Sequence, residues 1–187
     1  MPHGYQIKNQ EAACFLTFQI VQWADIFTRK VYRDIFIDSM NYCIKHKGLE
    51  VFAYAIMSNH VHLLVRAMYG NLSALVRDMK RHTSKMIIQT ILSEEESRKD
   101  WLLMIFRYSA GKHNRNNDYQ VWTHENHAEE IYSNKFIEQK INYIHQNPVR
   151  AGIVENPEDY VYSSARNYAD LPGKVPVIKA VIRWKTV

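Results

Sequence analysis

The segment 52–66, which reads FAYAIMSNHVHLLVR, constrains the fold of this chain more than any other stretch. Its aromatic and β-branched residues predict two strands joined by a tight turn at Ser58–Asn59. Side chains alternate between the faces of a strand, so His60 and His62 share one face, while Val61, Leu63 and Val65 point to the other. Two neutral imidazoles side by side on a rigid strand are two potential ligands of a metal ion. The competing interpretation is a polar, solvent-facing side of a half-buried strand.

The rest of the chain predicts strands and helices in an order typical of an α+β fold. Runs of β-branched and aromatic residues indicate strands, and apolar residues at helical spacing indicate helices. The predicted elements are a strand at 13–22, a helix at 27–47 ended by Gly48, strands at about 50–57 and 60–67, a helix at 72–92 and a strand at 119–123. This order is the ferredoxin-like βαββαβ antiparallel sheet with helices on one face. Its first and third strands lie in the centre, which places both imidazoles on a central strand.

A further helix is predicted at 133–146, and two stripes of side chains run along it. Ile137, Ile141 and Ile144 form its core stripe. A neighbouring stripe is formed by Phe136, Lys140, Tyr143 and Asn147. Side chains four residues apart on a helix lie side by side, so Asn147 is placed to offer an amide oxygen to a metal near the Tyr143 hydroxyl. The alternative is a structural role for both residues. Tyr143 would then be an aromatic side chain at the edge of the core, and Asn147 a polar residue at the end of the helix. Pro148 is expected to end the helix.

Three motifs, taken together, resemble a known family. They are MSNHVHLLV at 57–65, YIHQNPVRAGIV at 143–154 and YVYSSA at 160–165. The chain resembles the REP-associated tyrosine transposases, which are single-tyrosine HUH transposases of the insertion-sequence type, from the first strand to about Tyr168. By motif match the resemblance implies that His60 and His62 bind a divalent metal, Mg²⁺ or Mn²⁺, and that Tyr143 on the additional C-terminal helix is the nucleophile. Asn147 would complete the metal site, where many relatives have glutamine.

The resemblance also implies a function. The expected protein is a metal-dependent DNA strand transferase that cleaves and rejoins single-stranded DNA next to hairpin or palindromic elements through a 5′-phosphotyrosine intermediate. Its partner would be single-stranded DNA with a hairpin, and a homodimer is possible. Two other hypotheses stay open: a non-catalytic nucleic-acid-binding domain, and a His-x-His metal phosphoesterase that uses water and needs no tyrosine.

The charge of the chain favours a polyanionic partner, since the formal net charge is +5 and the pI is about 9.1. The basic residues expected to bind DNA are Arg77, Lys80, Arg81 and Lys85 on the second helix, Lys112 and Arg115 in the polar loop 111–118, and Arg150 after the last helix. Their distribution predicts phosphate contacts on a DNA-binding protein, and the alternative is a solvated basic face.

The length of 187 residues predicts one domain, with a core at about 12–150 and a C-terminal extension at 151–187. Cys14 and Cys43 lie in apolar segments and are expected to be buried thiols. The sequence shows no secretory segment and no apolar run long enough for a bilayer, so a cytoplasmic protein without membrane partners is expected. The acidic run 94–96 predicts a solvated turn. The tail predicts a short helix near 163–168 and a possible strand near 177–184.

Overall fold

The computed structural model describes residues 7–112 and 118–180. Short 3₁₀ turns lie at Val21–Trp23, Ile26–Thr28 and Pro157–Asp159. The strands and helices are β1 (Cys14–Gln19), α1 (Lys30–Lys47), β2 (Leu49–Ile56), β3 (His60–Ala67), α2 (Leu72–Ser93), α3 (Lys99–Gly111), β4 (Glu129–Glu130), α4 (Asn134–Arg150) and α5 (Ala165–Tyr168). The apolar segment 101–108 lies within α3.

The four strands form one antiparallel sheet in the order β2-β3-β1-β4. This is the order of a ferredoxin-like sheet, so the predicted fold is confirmed. β1 and β3 are its central strands, as expected. Gly48 ends α1 in the left-handed conformation with φ 69°, which glycine adopts without a Cβ clash.

The two faces of the sheet bury different sets of side chains, because residues alternate along β1 and β3. Leu16 and Leu63 belong to the larger core, which also contains the apolar side chains of α1 and α2. Phe15 and Leu64 belong to a smaller cluster with Ile141 and Ile144 of α4. Helix α4 therefore packs on the face opposite α1 and α2.

The predicted fourth strand at 119–123 is wrong. Trp122 forms only an isolated bridge with Ile20, and the regular strand is the two-residue β4. Ile20 is paired with Trp122 and Phe15 with Glu129. The two pairs are therefore five residues apart on the first segment but seven residues apart on its partner. Two extra residues interrupt the ladder, so this edge of the sheet follows β1 irregularly.

The expected end of the last helix before Pro148 is also wrong, because α4 continues to Arg150. A proline removes only its own N–H from the helical hydrogen bonds. The next bonds are present, since the Ala151 N–H donates to the carbonyl oxygen of Asn147 at 2.9 Å. The extra turn places Arg150 on the same helix as Tyr143.

The tail contains the expected short helix, α5. The predicted strand at 177–184 is absent over 177–180, although the Ile178 N–H donates to the carbonyl oxygen of Val51 at 2.8 Å. Residues 181–184 lie outside the described part of the chain. Cys14 and Cys43 are buried free thiols, as predicted. Within 7–112 and 118–180, no helix is both long and apolar enough to cross a bilayer.

The acidic run 94–96 does not form a fully solvated turn, because the Glu96 side chain is only 1% exposed. Its carboxylate accepts hydrogen bonds from Tyr32 Oη at 2.8 Å, Arg29 Nη1 at 2.9 Å and Arg98 Nε at 3.3 Å. Burial alone would raise the pKa of Glu96, but the bonds from Arg29, Tyr32 and Arg98 outweigh it and lower the pKa to about 2. This carboxylate joins the start of α1 to the start of α3.

The substitution Glu96→Gln is expected to lower the free energy of unfolding by about 2–3 kcal/mol at neutral pH, since charged hydrogen bonds are lost and two guanidinium groups lose their partner. The folded-state pKa is depressed, so the stabilisation is complete above the unfolded-state pKa of roughly 4.3 and declines as the pH falls towards 2. Urea unfolding of both proteins across this range measures the difference. Glu94→Gln, at a carboxylate that is 47% exposed, is the matched control and should change little. A Glu96→Gln effect that did not shrink in acid would contradict the assignment.

Candidate active site

The two imidazoles of β3 lie on the face of the sheet that carries α4. Across the strand pair, Thr17 and Gln19 of β1 are the partners of His62 and His60. The Nε2 atoms of His60 and His62 are 3.1 Å apart. The alternation of a β-strand therefore brings both rings to one point on the polar side of a rigid central strand.

The hydrogen bonds of Asn59 determine the tautomer of His60. The Asn59 Nδ2 group donates to the carbonyl oxygen of Trp23 at 3.3 Å, which turns its Oδ1 towards the imidazole. Oδ1 lies 2.6 Å from Nδ1 of His60 and accepts a hydrogen bond from it. With the proton on Nδ1, the Nε2 lone pair of neutral His60 is free to face His62.

His62 is held by β1 and is more deeply buried. Its Nδ1 lies 3.0 Å from the Thr17 hydroxyl, and its ring stacks on Phe15 with centroids 5.5 Å apart. Burial lowers the pKa of His60, and burial together with the charges of His60 and Lys140 lowers the pKa of His62 to about 3. Both rings are therefore neutral near pH 7, which is the form that binds a metal.

The geometry of the two rings fits a metal ion. Two metal–nitrogen bonds of about 2.1 Å span the 3.1 Å between the Nε2 atoms at roughly a right angle. The outer ring nitrogens are occupied by Asn59 and Thr17, as is usual for metal-binding histidines. Within the described residues, no group of three His, Cys, Asp or Glu side chains converges. Further ligands would then be an amide, a water or a phosphate oxygen, which leaves room for a substrate.

Tyr143 lies beside the imidazoles of the same chain. Its ring centroid is 5.2 Å from that of His62 and 5.9 Å from that of Phe15, with edge-on geometry in both cases. The guanidinium carbon of Arg150 lies 5.7 Å from its ring centre. Tyr143 is 38% exposed, so it is neither in the core nor on a remote surface. The Tyr143 ring thus contacts the His62 ring and the Arg150 guanidinium, and it remains partly accessible.

Helix α4 is anchored to β2 through the segment that follows it. The His145 Nε2 lies 2.8 Å from the hydroxyl of Ser164, which also accepts a hydrogen bond from the Tyr54 N–H at 2.9 Å. The Tyr160 hydroxyl donates to the carbonyl oxygen of Ile56 at 2.6 Å. These buried bonds explain the YVYSSA motif, since its side chains hold the tyrosine helix in position over the sheet.

Asn147 lies one helical turn beyond Tyr143. Its Nδ2 donates to the carbonyl oxygen of Tyr143 at 3.0 Å, a bond within α4. That bond uses the amide nitrogen and not the amide oxygen, so the oxygen keeps its capacity as a ligand. The metal role of Asn147 stays a prediction.

Three of the basic residues of α2, Arg77, Lys80 and Arg81, lie along a cleft of about 630 Å³ between that helix and the segment 119–126. Arg77 and Arg81 line it and are exposed. Lys80 points inwards: its Nζ donates to the carbonyl oxygen of Thr123 at 2.9 Å and lies 4.8 Å from the ring centre of Phe18. Burial lowers the pKa of Lys80 to about 8. Its ammonium group therefore supports the edge of the sheet as well as lining the cleft.

The other basic residues predicted to bind DNA are dispersed. Lys85 is exposed further along α2. Lys112 is exposed after α3, with its Nζ 4.2 Å from the ring centre of Tyr108. Arg150 is exposed beside Tyr143. Arg115 lies outside the described residues.

A second cleft, of about 540 Å³, adjoins the first. It is lined by Gln19, the strand partner of His60, and by Trp23 and Lys112. Thr123 and Glu125 line both clefts. The two clefts thus adjoin along the segment 123–125, and Gln19 brings the second cleft to the strand position paired with His60.

Comparisons with known proteins bear on the family and the fold of the chain. The family model described as IS200-like transposase matches residues 18–147, which include both imidazoles and Tyr143. A solved structure of a REP-associated tyrosine transposase bound to a REP hairpin has the same fold, with a TM-score of 0.60 at 15% sequence identity. The match covers 100% of this chain and 99% of that chain. A search of curated proteins found no match.

Proposed function

Because this chain belongs to the family of IS200-like transposases, we propose that it is a single-tyrosine DNA strand transferase. It would cleave and rejoin single-stranded DNA next to a hairpin through a phosphotyrosine link. The observation that supports this most is the contact of Tyr143 with His62 within one chain, with ring centroids 5.2 Å apart. The Nε2 of His62 in turn lies 3.1 Å from that of His60. A tyrosine placed at a site with two neutral imidazoles suits attack on a phosphodiester.

The proposed reaction is a transesterification. The phenolic oxygen of Tyr143 attacks phosphorus, the bond from phosphorus to the 3′-oxygen breaks, and that oxygen leaves as a 3′-hydroxyl after gaining a proton. The phosphate stays on Tyr143 as a 5′-phosphotyrosine. A different 3′-hydroxyl then attacks the same phosphorus, which forms a new phosphodiester and frees the tyrosine. One diester bond is exchanged for another at each step, so neither ATP nor water is required.

His60 and His62 would hold a divalent metal in this proposal, with Asn147 as the predicted third ligand. A bound Mg²⁺ or Mn²⁺ would supply Lewis-acid polarisation of the scissile phosphate. The residues of the chain do the rest: Asn59 and Thr17 orient the imidazoles, and Phe15 and His62 position the Tyr143 ring. Hard phosphate oxygens favour Mg²⁺ or Mn²⁺ over Zn²⁺ at such a site.

The proposed partner is DNA with a hairpin and an unpaired flank. The cleft along α2 supports this, since arginine and lysine side chains along a groove bind phosphates and steer DNA. Arg150, beside Tyr143, is placed to contact a phosphate near the point of attack. Because the tyrosine and the imidazoles belong to the same chain, action in cis is favoured. A homodimer stays a prediction.

The test uses hairpin oligonucleotides labelled at the 5′ or the 3′ end and incubated with the protein and Mn²⁺. The expected result is a covalent adduct that carries the DNA downstream of the cut, with a free 3′-hydroxyl on the other fragment. Binding without cleavage would instead indicate a nucleic-acid-binding domain. Cleavage without an adduct, and unaffected by Tyr143→Phe, would indicate a water-using phosphoesterase.

The substitution Arg81→Ala is expected to weaken hairpin binding to a similar extent for all sequences, because a phosphate contact carries no base information. The slope of log K against log salt should become less steep by about one unit. Fluorescence anisotropy at several salt concentrations measures both effects. Lys45→Ala removes one exposed charge from α1 and is the control, with an unchanged slope expected. An unchanged slope for Arg81→Ala would exclude the α2 cleft from the interface.

A further inference from the structure

Trp23 is an exposed aromatic side chain on a strained turn. It is 68% exposed, although tryptophan is among the largest apolar side chains. Gln22 and Trp23 both have positive φ, 53° and 57°, a region that residues other than glycine rarely adopt. The turn is held by the Ile20 N–H, which donates to the carbonyl oxygen of Asn59 at 2.9 Å. Little of the ring is used for packing, so the turn leaves it open to solvent.

The turn is linked directly to the candidate metal site. The Asn59 amide that accepts from Nδ1 of His60 at 2.6 Å also donates to the carbonyl oxygen of Trp23 at 3.3 Å. Gln19, which is paired with His60 across the strands, lies with Trp23 in the cleft of about 540 Å³. A strand whose phosphate lies at the imidazoles would therefore have its neighbouring nucleotides at this cleft.

The lining of the cleft favours a base over a phosphate or an apolar peptide. The Trp23 ring is a flat apolar surface, and Gln22 carries an amide that both donates and accepts hydrogen bonds. The Gln19 Nε2 group already donates to backbone carbonyl oxygens, so Gln19 offers its amide oxygen as an acceptor. Lys112 contributes a cation and Glu125 a carboxylate that is largely exposed. Opposite charges do not make a phosphate pocket, but they suit the mixed donors and acceptors on the edge of a base.

We propose that Trp23 and the cleft beside it form a subsite in which an unpaired nucleobase, next to the scissile phosphate, stacks on the indole ring. Proteins that hold single strands combine a basic groove with aromatic side chains on which bases stack. The subsite rests on the proposed function, because it receives the strand that Tyr143 is proposed to cut. Stacking there would fix the register of the strand relative to the imidazoles.

The experiment measures binding apart from cleavage, in the Tyr143→Phe protein, with two probes. One is a DNA hairpin with an unpaired oligothymidylate flank, and the other is the same hairpin with an abasic flank. Removing the bases is expected to weaken binding roughly tenfold, the size of one stacking contact. Adding Trp23→Ala should lower the affinity for the thymidylate probe by a similar factor and should leave the affinity for the abasic probe almost unchanged. Trp23→Phe should retain most of the affinity, since a smaller aromatic ring still stacks.

The matched control is Tyr69→Ala. Tyr69 is 69% exposed but follows the opposite end of β3 from His60, so both probes should bind it normally. Thermal melting checks that each variant is folded. If Trp23→Ala does not lower the affinity for the thymidylate probe, or leaves the abasic penalty unchanged, the subsite is overturned, while normal hairpin binding leaves the proposed function intact. Failure of every protein to bind either hairpin would instead overturn the proposed function itself.

Discussion

Tyr143→Phe is expected to abolish both the covalent adduct and strand cleavage, with a loss on the order of 10⁴-fold or more, because the attacking oxygen is gone. The phenyl ring keeps the contacts with Phe15 and His62 that position the side chain. The variant should therefore fold normally and bind hairpin DNA with unchanged affinity. Denaturing gel electrophoresis of labelled DNA measures the adduct, and anisotropy measures the binding.

Tyr132→Phe provides the control for this prediction. Tyr132 is an exposed tyrosine shortly before α4, where its ring stacks on Phe136, and the substitution removes an equivalent hydroxyl. It should form the adduct at the normal rate. Persistence of the adduct in Tyr143→Phe would mean that another side chain is the nucleophile, and adduct-free cleavage would mean that water is.

The fold was predictable because local patterns and the tertiary structure agree. Alternation in β1 and β3 places Leu16 and Leu63 on one face and Phe15 and Leu64 on the other, which is what two covered faces require. Gly48, predicted to end the first helix, is left-handed in the structure. Sequence patterns are sufficient to predict a fold where the conformation and burial that each residue favours are those it has in the structure.

The candidate site was only partly predictable. The spacing of His60 and His62 indicates that both side chains lie on one face of the strand. It does not indicate that Asn59 and Thr17 orient the two rings. One signal was present: Thr17 and Gln19 are polar residues on alternate positions of an otherwise apolar strand. Their partners across the sheet depend on the strand register, which no local pattern specifies.

Features set by distant partners were the ones that sequence reasoning missed. Glu96 looked solvated because its partners Arg29 and Tyr32 are more than sixty residues away in the chain. Lys80 looked like a member of an exposed stripe, yet carbonyl groups of the segment 119–126 draw its ammonium inwards. Burial of a charged group requires such a partner, and the partner is visible only in three dimensions.

The presence of Tyr143 beside the imidazoles within one chain also depends on packing. Ile141 and Ile144 bury one side of α4 against Ala53 and Leu64, and this fixes which side of the helix faces the sheet. A tyrosine one position from that stripe then lies at its edge, where it is partly exposed and still reaches His62. The position of the proposed nucleophile thus follows from the same burial that stabilises the helix.

His60→Ala tests the other half of the proposed site. Loss of one of two imidazoles is expected to lower Mn²⁺ affinity strongly and to reduce cleavage by on the order of 10³-fold. Hairpin binding measured with EDTA should not change, since His60 is proposed to contact the metal and not the DNA backbone. Titration calorimetry with Mn²⁺ and a gel-based cleavage assay give the two readouts. His46→Ala, at an exposed imidazole of α1, is the control and should match the parent protein.

Asn59→Ala separates orientation from ligation. It leaves both imidazoles in place but removes the acceptor that keeps the proton on Nδ1 of His60. Removing the group that is hydrogen-bonded to the outer ring nitrogen of a metal-binding histidine lowers metal affinity or activity by about 10–100-fold. Mn²⁺ affinity and cleavage by Asn59→Ala should therefore fall by that intermediate amount. This gives an ordered series, in which the parent protein cleaves fastest, Asn59→Ala is slower and His60→Ala is slowest. Normal cleavage by His60→Ala, with Tyr143→Phe inactive, would mean that the tyrosine attacks without a metal at the two imidazoles.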